Sequence, residues 1–167
     1  MEHGDGLWQK TPMAKAAPRP WTASEERWAT VFIKIMSAAN TWAYRATGGW
    51  LGGKFRGGAP VCLVTVKGRK SGNLHTLPLL YLADGDDIIL VASKGGMSKH
   101  PVWYLNLEAN PRCEVEIGRE RRTMVSRRVS PEEKKALWPR LCAMYPDYDD
   151  YQARTTRDIP VLRLSPA

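Results

Sequence analysis

The stretch that decides the fold runs from residue 64 to residue 104 and reads VTVKGRKSGNLHTLPLLYLADGDDIILVASKGGMSKHPVWY. Two basic turns that contain glycine, at residues 68–72 and 93–96, each follow a run of residues typical of a β-strand. Such turns bring backbone N–H groups and cationic side chains together, as binding of a phosphate-bearing ligand requires. We therefore interpret this stretch as the binding region for an anionic ligand, with a pocket beside it.

The sequence around this stretch predicts a mainly β domain with peripheral helices. Short β-like runs are joined by turns, which favours a small β-barrel of about six strands over a βαβ sheet. Pro78 lies inside the second run and indicates an edge or a bulge there. The predicted strands cover residues 61–66, 74–83, 88–93, 112–117, 121–129 and 159–164, and the predicted shorter helices cover 101–110 and 130–144.

A longer amphipathic helix is predicted over residues 22–47. Thr22 and Glu25 have the spacing of a capping box, and Gly48 ends the helix. Apolar residues recur at helical spacing and form one face. Two interpretations of this face remain open: packing on the domain core, or contact with a membrane surface that helps to admit a lipid-like substrate. Residues 1–21 lack periodicity and are expected to be a flexible tail before a single domain at 22–167.

The charge distribution predicts an acidic partner. The net charge is +8, and residues 48–83 contain no Asp or Glu but five basic residues, Lys54, Arg56, Lys67, Arg69 and Lys70. A nucleic-acid module is the weakest candidate, because no strand shows interleaved aromatic residues for base stacking. A P-loop at residues 48–54 is rejected, because Phe55 replaces the magnesium-binding Ser or Thr.

The cysteines and the hydropathy of the sequence argue against a disulfide-rich, a metal-binding and a membrane-spanning protein. The three cysteines, Cys62, Cys113 and Cys142, form no Cys-x-x-Cys pair, so neither a disulfide framework nor a metal site is predicted. No apolar run approaches the roughly 20 residues that cross a bilayer. We expect a cytoplasmic protein that contacts membranes, if at all, through its N-terminal helix.

Three tyrosines near the C-terminus are the candidate substrate-side residues. Tyr145, Tyr148 and Tyr151 recur at intervals of three, and their rings would wall a pocket for a flat apolar substrate while one phenol donates a proton. The alternative is a packing stripe beneath Trp138. No carboxylate pair and no Ser-His-Asp set is apparent, which favours chemistry carried by a cofactor.

The sequence resembles the deazaflavin-dependent nitroreductase family of mycobacteria and related actinobacteria, over roughly residues 28–164. The matching pieces occur in order along the chain. They are Phe32-Ile33-Lys34, Asn40-Thr41-Trp42, Leu51-Gly52-Gly53, Gly68-Arg69-Lys70-Ser71-Gly72, Pro78-Leu79, Ala92-Ser93-Lys94-Gly95-Gly96, Trp103-Tyr104-Leu105-Asn106-Leu107, Ala109-Asn110-Pro111, Tyr145-Pro146 and Asp150-Tyr151-Gln152.

This resemblance implies a split β-barrel, like that of the flavin-binding pyridoxamine-phosphate oxidases. It implies coenzyme F420, a deazaflavin with a phosphate and an acidic polyglutamate tail, as the cofactor. It further implies an oxidoreductase that transfers a hydride from reduced F420 to quinones or to other electron-poor acceptors, namely nitroaromatics and activated enones. The acceptor would be a small molecule, and the protein a monomer or a homodimer.

By the same resemblance, residues of this chain receive roles. Tyr145, Tyr148 and Tyr151 are expected at the substrate, with Tyr148 as the proton donor. The residues expected at the cofactor are Lys67, Arg69, Lys70, Ser71, His75, Pro78, Ser93, Lys94, Gly95, Gly96, Lys99, His100, Trp103 and Tyr104. A close relative carries Arg in place of His75 and Tyr in place of Leu80, so its choice of substrate does not transfer directly.

Two further functions remain open at the level of the sequence. One is a flavin-mononucleotide (FMN) enzyme on the same barrel with nicotinamide as the electron donor. The other is a non-catalytic protein that binds the deazaflavin or a related anion. Retention of yellow flavin by the purified protein would favour the first, and tight cofactor binding without turnover would favour the second.

Overall fold

The computed structural model describes residues 18–167, in which six antiparallel strands close into a barrel with the spatial order β1-β2-β3-β6-β5-β4. The strands are β1 (Val61–Lys67), β2 (Leu74–Asp84), β3 (Asp87–Val91), β4 (Arg112–Ile117), β5 (Glu120–Arg128) and β6 (Val161–Pro166). The predicted barrel with peripheral helices is confirmed. Residues 1–17 of the predicted flexible tail lie outside the described residues.

The helices within this range lie around the barrel. They are α1 (Ala23–Thr47), α2 (Val102–Ala109), α3 (Pro131–Met144) and α4 (Asp147–Ala153). The predicted capping box of α1 is present, because Thr22 and Glu25 each accept a backbone N–H of the other. Gly48 ends α1 in the left-handed conformation that glycine favours, with φ 62°.

The barrel interior is filled by alternate side chains of the strands. Val64, Leu90 and Leu164 are among its fully buried members, and α2 covers one end with Tyr104 and Leu107. Burial of these side chains is the main stabilising contribution to the barrel. Pro78 pairs with Leu63 of β1, and β3 pairs with β2 only from Tyr81 onward, so Pro78 occupies a local edge as predicted.

The third strand ends two residues earlier than the sequence predicted. The strand stops at Val91 instead of Ser93, although the Ala92 N–H still donates to Pro160 O over 2.9 Å. Ser93 then turns into helical backbone, with φ −71° and ψ −43°. Ala92 and Ser93 therefore belong to the loop that joins β3 to α2, where the second basic turn lies.

Helix α1 presents its apolar face outward, so of the two interpretations left open by the sequence, packing of this face on the domain core does not hold. Trp28, Phe32 and Trp42 are 77%, 65% and 76% exposed, whereas Tyr44 is 1% exposed. Tyr44 faces the barrel together with half-buried polar side chains of α1 such as Thr30 and Thr41. Within residues 18–167, no helix combines the length and the apolar character that crossing a membrane requires.

Candidate cofactor-binding site

The first basic turn joins β1 to β2 and is held against helix α2. Asn106 of α2 is buried, and its Oδ1 accepts hydrogen bonds from the backbone N–H and from the guanidinium of Arg69, each over 3.2 Å. Two backbone hydrogen bonds of 2.8 Å, from Gly68 to Asn73 and from Gly72 to Gly68, close the turn. Part of the hydrogen-bonding capacity of Arg69 is therefore used within the protein, by Asn106.

The tip of this turn leaves predicted ligand-binding groups exposed. Lys70 and Ser71 lie at the surface, as do Lys67 and His75 on the flanking strands. A Cβ added at Gly68 would lie 2.6 Å from Ser71 Oγ and 3.0 Å from His75 Nε2, so these two side chains pack closely over Gly68. The structure thus brings Lys67, Arg69, Lys70, Ser71 and His75 together, a donor set that suits a phosphate.

The second predicted turn lies between a tryptophan and helix α4. Trp21 donates its indole N–H to Gly95 O over 2.7 Å, and the Arg154 guanidinium lies 5.6 Å from the centre of the Trp21 ring. On the other side, a Cβ at Gly96 would lie 2.5 Å from Tyr151 O. Gly96 therefore permits a close approach of the loop to α4, which carries two of the predicted tyrosines.

The start of helix α1 is bound to the same loop. The Glu26 carboxylate accepts the Ser98 backbone N–H over 2.6 Å and the Ser98 hydroxyl over 2.9 Å. The Thr30 hydroxyl lies 3.9 Å from Met97 Sδ. Lys99, a predicted cofactor ligand, is exposed beside these contacts. The loop is therefore connected to α1 as well as to α4.

The predicted residues of α2 support this loop from the barrel side. Tyr104 is buried in the barrel interior, Trp103 packs against the same cluster, and the rings of His100 and Tyr104 are 5.1 Å apart. Burial, followed by the charge of Arg157, lowers the pKa of His100. Trp103 and Tyr104 thus pack beneath the loop, and Tyr104 is almost fully buried.

The three tyrosines form one cluster, although only Tyr148 and Tyr151 share a helix and Tyr145 lies between α3 and α4. The ring centres of Tyr145 and Tyr148 are 5.1 Å apart, and that of Tyr151 is 6.0 Å from Tyr145 and 6.4 Å from Tyr148. Trp138 packs against Tyr148 at 6.3 Å, so the cluster is also a packing unit. Phe55 and Leu80 border the cluster.

The hydroxyl groups in the cluster differ in their hydrogen bonds. Tyr145 donates to Asp147 Oδ2 over 3.0 Å, so the 3.0 Å contact between the Tyr145 and Tyr151 hydroxyls uses the proton of Tyr151. The Tyr148 hydroxyl makes no hydrogen bond with any residue from 18 to 167. Burial raises the pKa of both Tyr145 and Tyr148, so both phenols are protonated at neutral pH.

Sequence reasoning missed the residues that fix the site from a distance. Asn106 and Trp21 contact segments 37 and 74 residues away, and Arg157 contacts the loop 64 residues before it. The local signal for Asn106 was its polar side chain between Leu105 and Leu107 in a mainly apolar helix. In the described part of the chain, no group of three or more His, Cys, Asp or Glu side chains is placed to hold a metal ion.

Comparison with known proteins gives a consistent result. Residues 36–166 match the family model described as F420H(2)-dependent quinone reductase. A Mycobacterium tuberculosis protein named as such a reductase is 41% identical over 116 residues, which are 70% of this chain and 98% of that protein. Another from the same organism is 38% identical over 125 residues, 73% of this chain and 84% of its own length.

Solved structures agree with the sequence matches. A structure described as an F420-H2 dependent reductase is 37% identical, with a TM-score of 0.59, and the match covers 64% of this chain and 94% of that one. A second, described as a domain-swapped dimer, is also 37% identical, with a TM-score of 0.60 and coverage of 64% and 80%.

Proposed function

Because this chain belongs to the F420H(2)-dependent quinone reductase family, we propose that it reduces quinones with coenzyme F420 held in the candidate site. The single observation that carries this proposal is the contact between Gly96 and Tyr151, because it joins the predicted cofactor loop to the predicted substrate tyrosines. When bound, reduced F420 supplies the hydride. The protein then has to orient two flat molecules face to face and exclude water between them.

The residues present suit such a cofactor. Lys70 and Ser71 would bind its phosphate at the exposed tip of the first turn, while Asn106 holds Arg69 and the turn backbone in place. The backbone N–H groups of Ser93 and Lys94, which have no acceptor among residues 18–167, would bind polar atoms of the ring system. Trp21 would limit access of water to that loop.

Tyr148 is the best candidate for the proton donor to the acceptor oxygen. The Tyr151 proton is used by Tyr145 and the Tyr145 proton by Asp147, whereas no described residue accepts the Tyr148 proton. Burial raises the pKa of this phenol, so it is protonated at neutral pH. Tyr145 and Tyr151 would then orient the acceptor through their rings.

Nitroaromatics and activated enones are proposed as further acceptors. The tyrosine rings and Leu80 offer apolar walls, and the carboxylate of Asp147 is engaged by the Tyr145 hydroxyl. Any electron-poor planar molecule that presents an oxygen to Tyr148 therefore suits this arrangement. The selectivity among these acceptors would depend on shape, because apolar walls discriminate weakly between molecules of similar size.

We also propose that the outward face of α1 contacts an anionic membrane and so favours lipid-soluble quinones. Trp28, Phe32 and Trp42 are exposed on this face, and Lys34 adds a positive charge. Aromatic and basic residues together are typical of helices that lie at a membrane surface. A shallow, open depression lined by α1 and by Thr76 of β2 lies beside Trp42.

The reaction is tested by mixing the purified protein with reduced F420 and menadione and following the deazaflavin absorbance. We expect oxidation of the cofactor that depends on both the protein and the quinone. Absence of oxidation with several quinones would overturn the proposal. Tight F420 binding without turnover would then indicate a storage protein, and retention of FMN with nicotinamide-dependent turnover would indicate a flavin enzyme.

Membrane contact is tested by sedimentation with vesicles of phosphatidylcholine, with and without phosphatidylglycerol. We expect binding to the anionic vesicles that the double variant Phe32→Gln, Trp42→Gln loses. The control variant Val125→Gln replaces a 38% exposed apolar side chain on β5 and should bind as the wild type does. Failure to bind, together with a dimer in light scattering that the double variant abolishes, would instead assign the face to a second copy.

A further inference from the structure

Arg157 lies behind the predicted cofactor loop and donates hydrogen bonds to its carbonyl oxygens. Its guanidinium donates to Ser93 O over 2.6 Å, to Met97 O over 2.9 Å and to Ala92 O over 3.3 Å. These acceptors include both ends of the loop. The side chain is partly buried, so these hydrogen bonds are partly shielded from water. One arginine thus holds three peptide groups of the loop in fixed orientations.

The orientation of a carbonyl also decides the direction of the next N–H group. In a trans peptide the C=O and the following N–H point in opposite directions, and the described residues contain no cis peptide. Since the Met97 carbonyl faces Arg157, the Ser98 N–H should face away, and it does so by donating to Glu26. By the same geometry, the N–H groups of Ser93 and Lys94 face away from Arg157.

The charge of Arg157 has no direct counter-ion in the part of the chain that the structure describes. No carboxylate within residues 18–167 lies within 4.0 Å of its guanidinium. The neighbouring Asp158 pairs with Arg128 at 2.7 Å and with Lys134, and Glu26 is engaged with Ser98. A guanidinium remains protonated in proteins. A positive charge therefore stands directly behind the loop.

Arg157 also determines the protonation of His100. The Arg157 Nη1 atom lies 3.2 Å from His100 Nδ1. A guanidinium can only donate, so Nδ1 is the acceptor and the neutral imidazole carries its proton on Nε2. The groups around His100 are the cation of Arg157, the ring of Tyr104 and, further away, Arg128, Asp158 and Glu108. The neutral imidazole thus keeps its Nε2–H as a hydrogen-bond donor.

We propose that Arg157 is a positioning residue for the cofactor, which orients the Ser93 and Lys94 N–H groups and places a positive charge behind them. This inference rests on the proposed function, because it takes the 92–97 loop as the binding surface for the planar ring of F420. The positive charge should favour the more electron-rich, reduced form of that ring over the oxidised form. Arg157 itself need not touch the cofactor.

The test compares Arg157→Gln and Arg157→Lys with wild type in cofactor titrations. We expect Arg157→Gln to bind oxidised F420 about tenfold more weakly, a loss of about 1.4 kcal/mol, and to bind reduced F420 more weakly still. Arg157→Lys should restore the charge effect but not the loop geometry, because an ammonium cannot span three carbonyls. Arg140→Gln is the control, since Arg140 pairs with Asp84 at the surface. Equal affinities of wild type and Arg157→Gln for both forms would overturn the proposal.

Two further readouts separate positioning from simple loss of structure. Guanidinium ion at non-denaturing concentration should restore F420 binding to Arg157→Ala, whereas sodium chloride at the same ionic strength should not. Histidine ¹⁵N spectra of the cofactor-free protein should show His100 as the Nε2–H tautomer, with a pKa that rises in Arg157→Gln. A wild-type spectrum with the proton on Nδ1 would overturn the tautomer assignment, and a His100 pKa unchanged in Arg157→Gln would overturn the contact with Arg157. Failure of the wild type to bind F420 would overturn the proposed function. The histidine ¹⁵N spectrum would still test the contact between Arg157 and His100.

Discussion

Asn106 Oδ1 accepts two hydrogen bonds from Arg69, one from its backbone N–H and one from its guanidinium, each over 3.2 Å. This pair fastens the first basic turn to helix α2 across the end of the barrel. Because Asn106 is buried, substitution leaves the Arg69 N–H without a partner. We expect Asn106→Leu to lower the free energy of unfolding by about 1–3 kcal/mol.

Urea denaturation checks this expectation, with Asn73→Ala as the control. Asn73 lies in the same turn, but its exposed side chain makes no hydrogen bond with a residue between 18 and 167. The control should change the unfolding free energy by less than about 0.5 kcal/mol. Similar losses in both variants would mean that the contact with Arg69 does not stabilise the turn.

Lys70→Ala is expected to weaken F420 binding without destabilising the fold. The side chain is exposed at the tip of the turn, so its loss removes a charge-assisted contact to the ligand only. We expect a loss of about 1–3 kcal/mol in binding free energy. Lys135→Ala on α3 is the matched control, because it removes an equally exposed lysine elsewhere. Equal losses in the two titrations would assign the effect to net charge.

Tyr148→Phe is expected to slow quinone reduction by about 10²–10⁴-fold, as removal of a general acid does. Cofactor affinity should remain close to that of wild type, because the Tyr148 ring and its packing against Trp138 are kept. Single-turnover kinetics and a cofactor titration measure the two quantities. Equal losses of rate and of cofactor affinity would remove Tyr148 from the role of proton donor.

Glu133 should contribute to stability in a defined pH range. The Arg127 guanidinium at 2.8 Å and Arg163 at 2.7 Å lower the pKa of Glu133 to about 2, from an ordinary value of 4.5. A carboxylate whose pKa is lowered by folding stabilises the protein above its unfolded pKa, and this contribution is lost as the pH falls toward 2.

We therefore expect Glu133→Gln to destabilise the protein at pH 7 and to flatten the loss of stability between pH 5 and pH 2.5. Urea denaturation across this range measures both effects. Glu114→Gln, which replaces an exposed carboxylate on β4 without an ion pair to residues 18–167, should keep the wild-type pH dependence. An equally steep acid limb in Glu133→Gln would contradict the assignment.

Truncation of two aromatic residues of α1 should change the free energy of unfolding by very different amounts. Tyr44 is buried and accepts the Gly118 N–H over 2.8 Å, so Tyr44→Ala should cost about 3–5 kcal/mol of unfolding free energy. Trp42 is 76% exposed, so Trp42→Ala should change it by less than about 0.5 kcal/mol in the absence of membranes. Thermal denaturation decides, and a large loss in Trp42→Ala would mean that this face is covered in solution.

Local patterns were enough to predict most of the elements. Strand β4 begins and ends at the predicted residues, and α1 has the predicted cap at Thr22. Turn chemistry and hydrophobic periodicity act over a few residues, so the chain carries these signals at each position. The ordered motifs also pointed to the family and its cofactor, which the sequence comparisons confirm.

The tertiary structure alone decided which face of α1 turns inward and how the site is fixed. Periodicity shows that a helix has an apolar face, but what covers that face depends on distant parts of the chain. Likewise, Arg157 and Asn106 act on segments 64 and 37 residues away, and a polar contact at that separation leaves no local pattern. Such contacts exist only once the barrel has closed and brought these segments together.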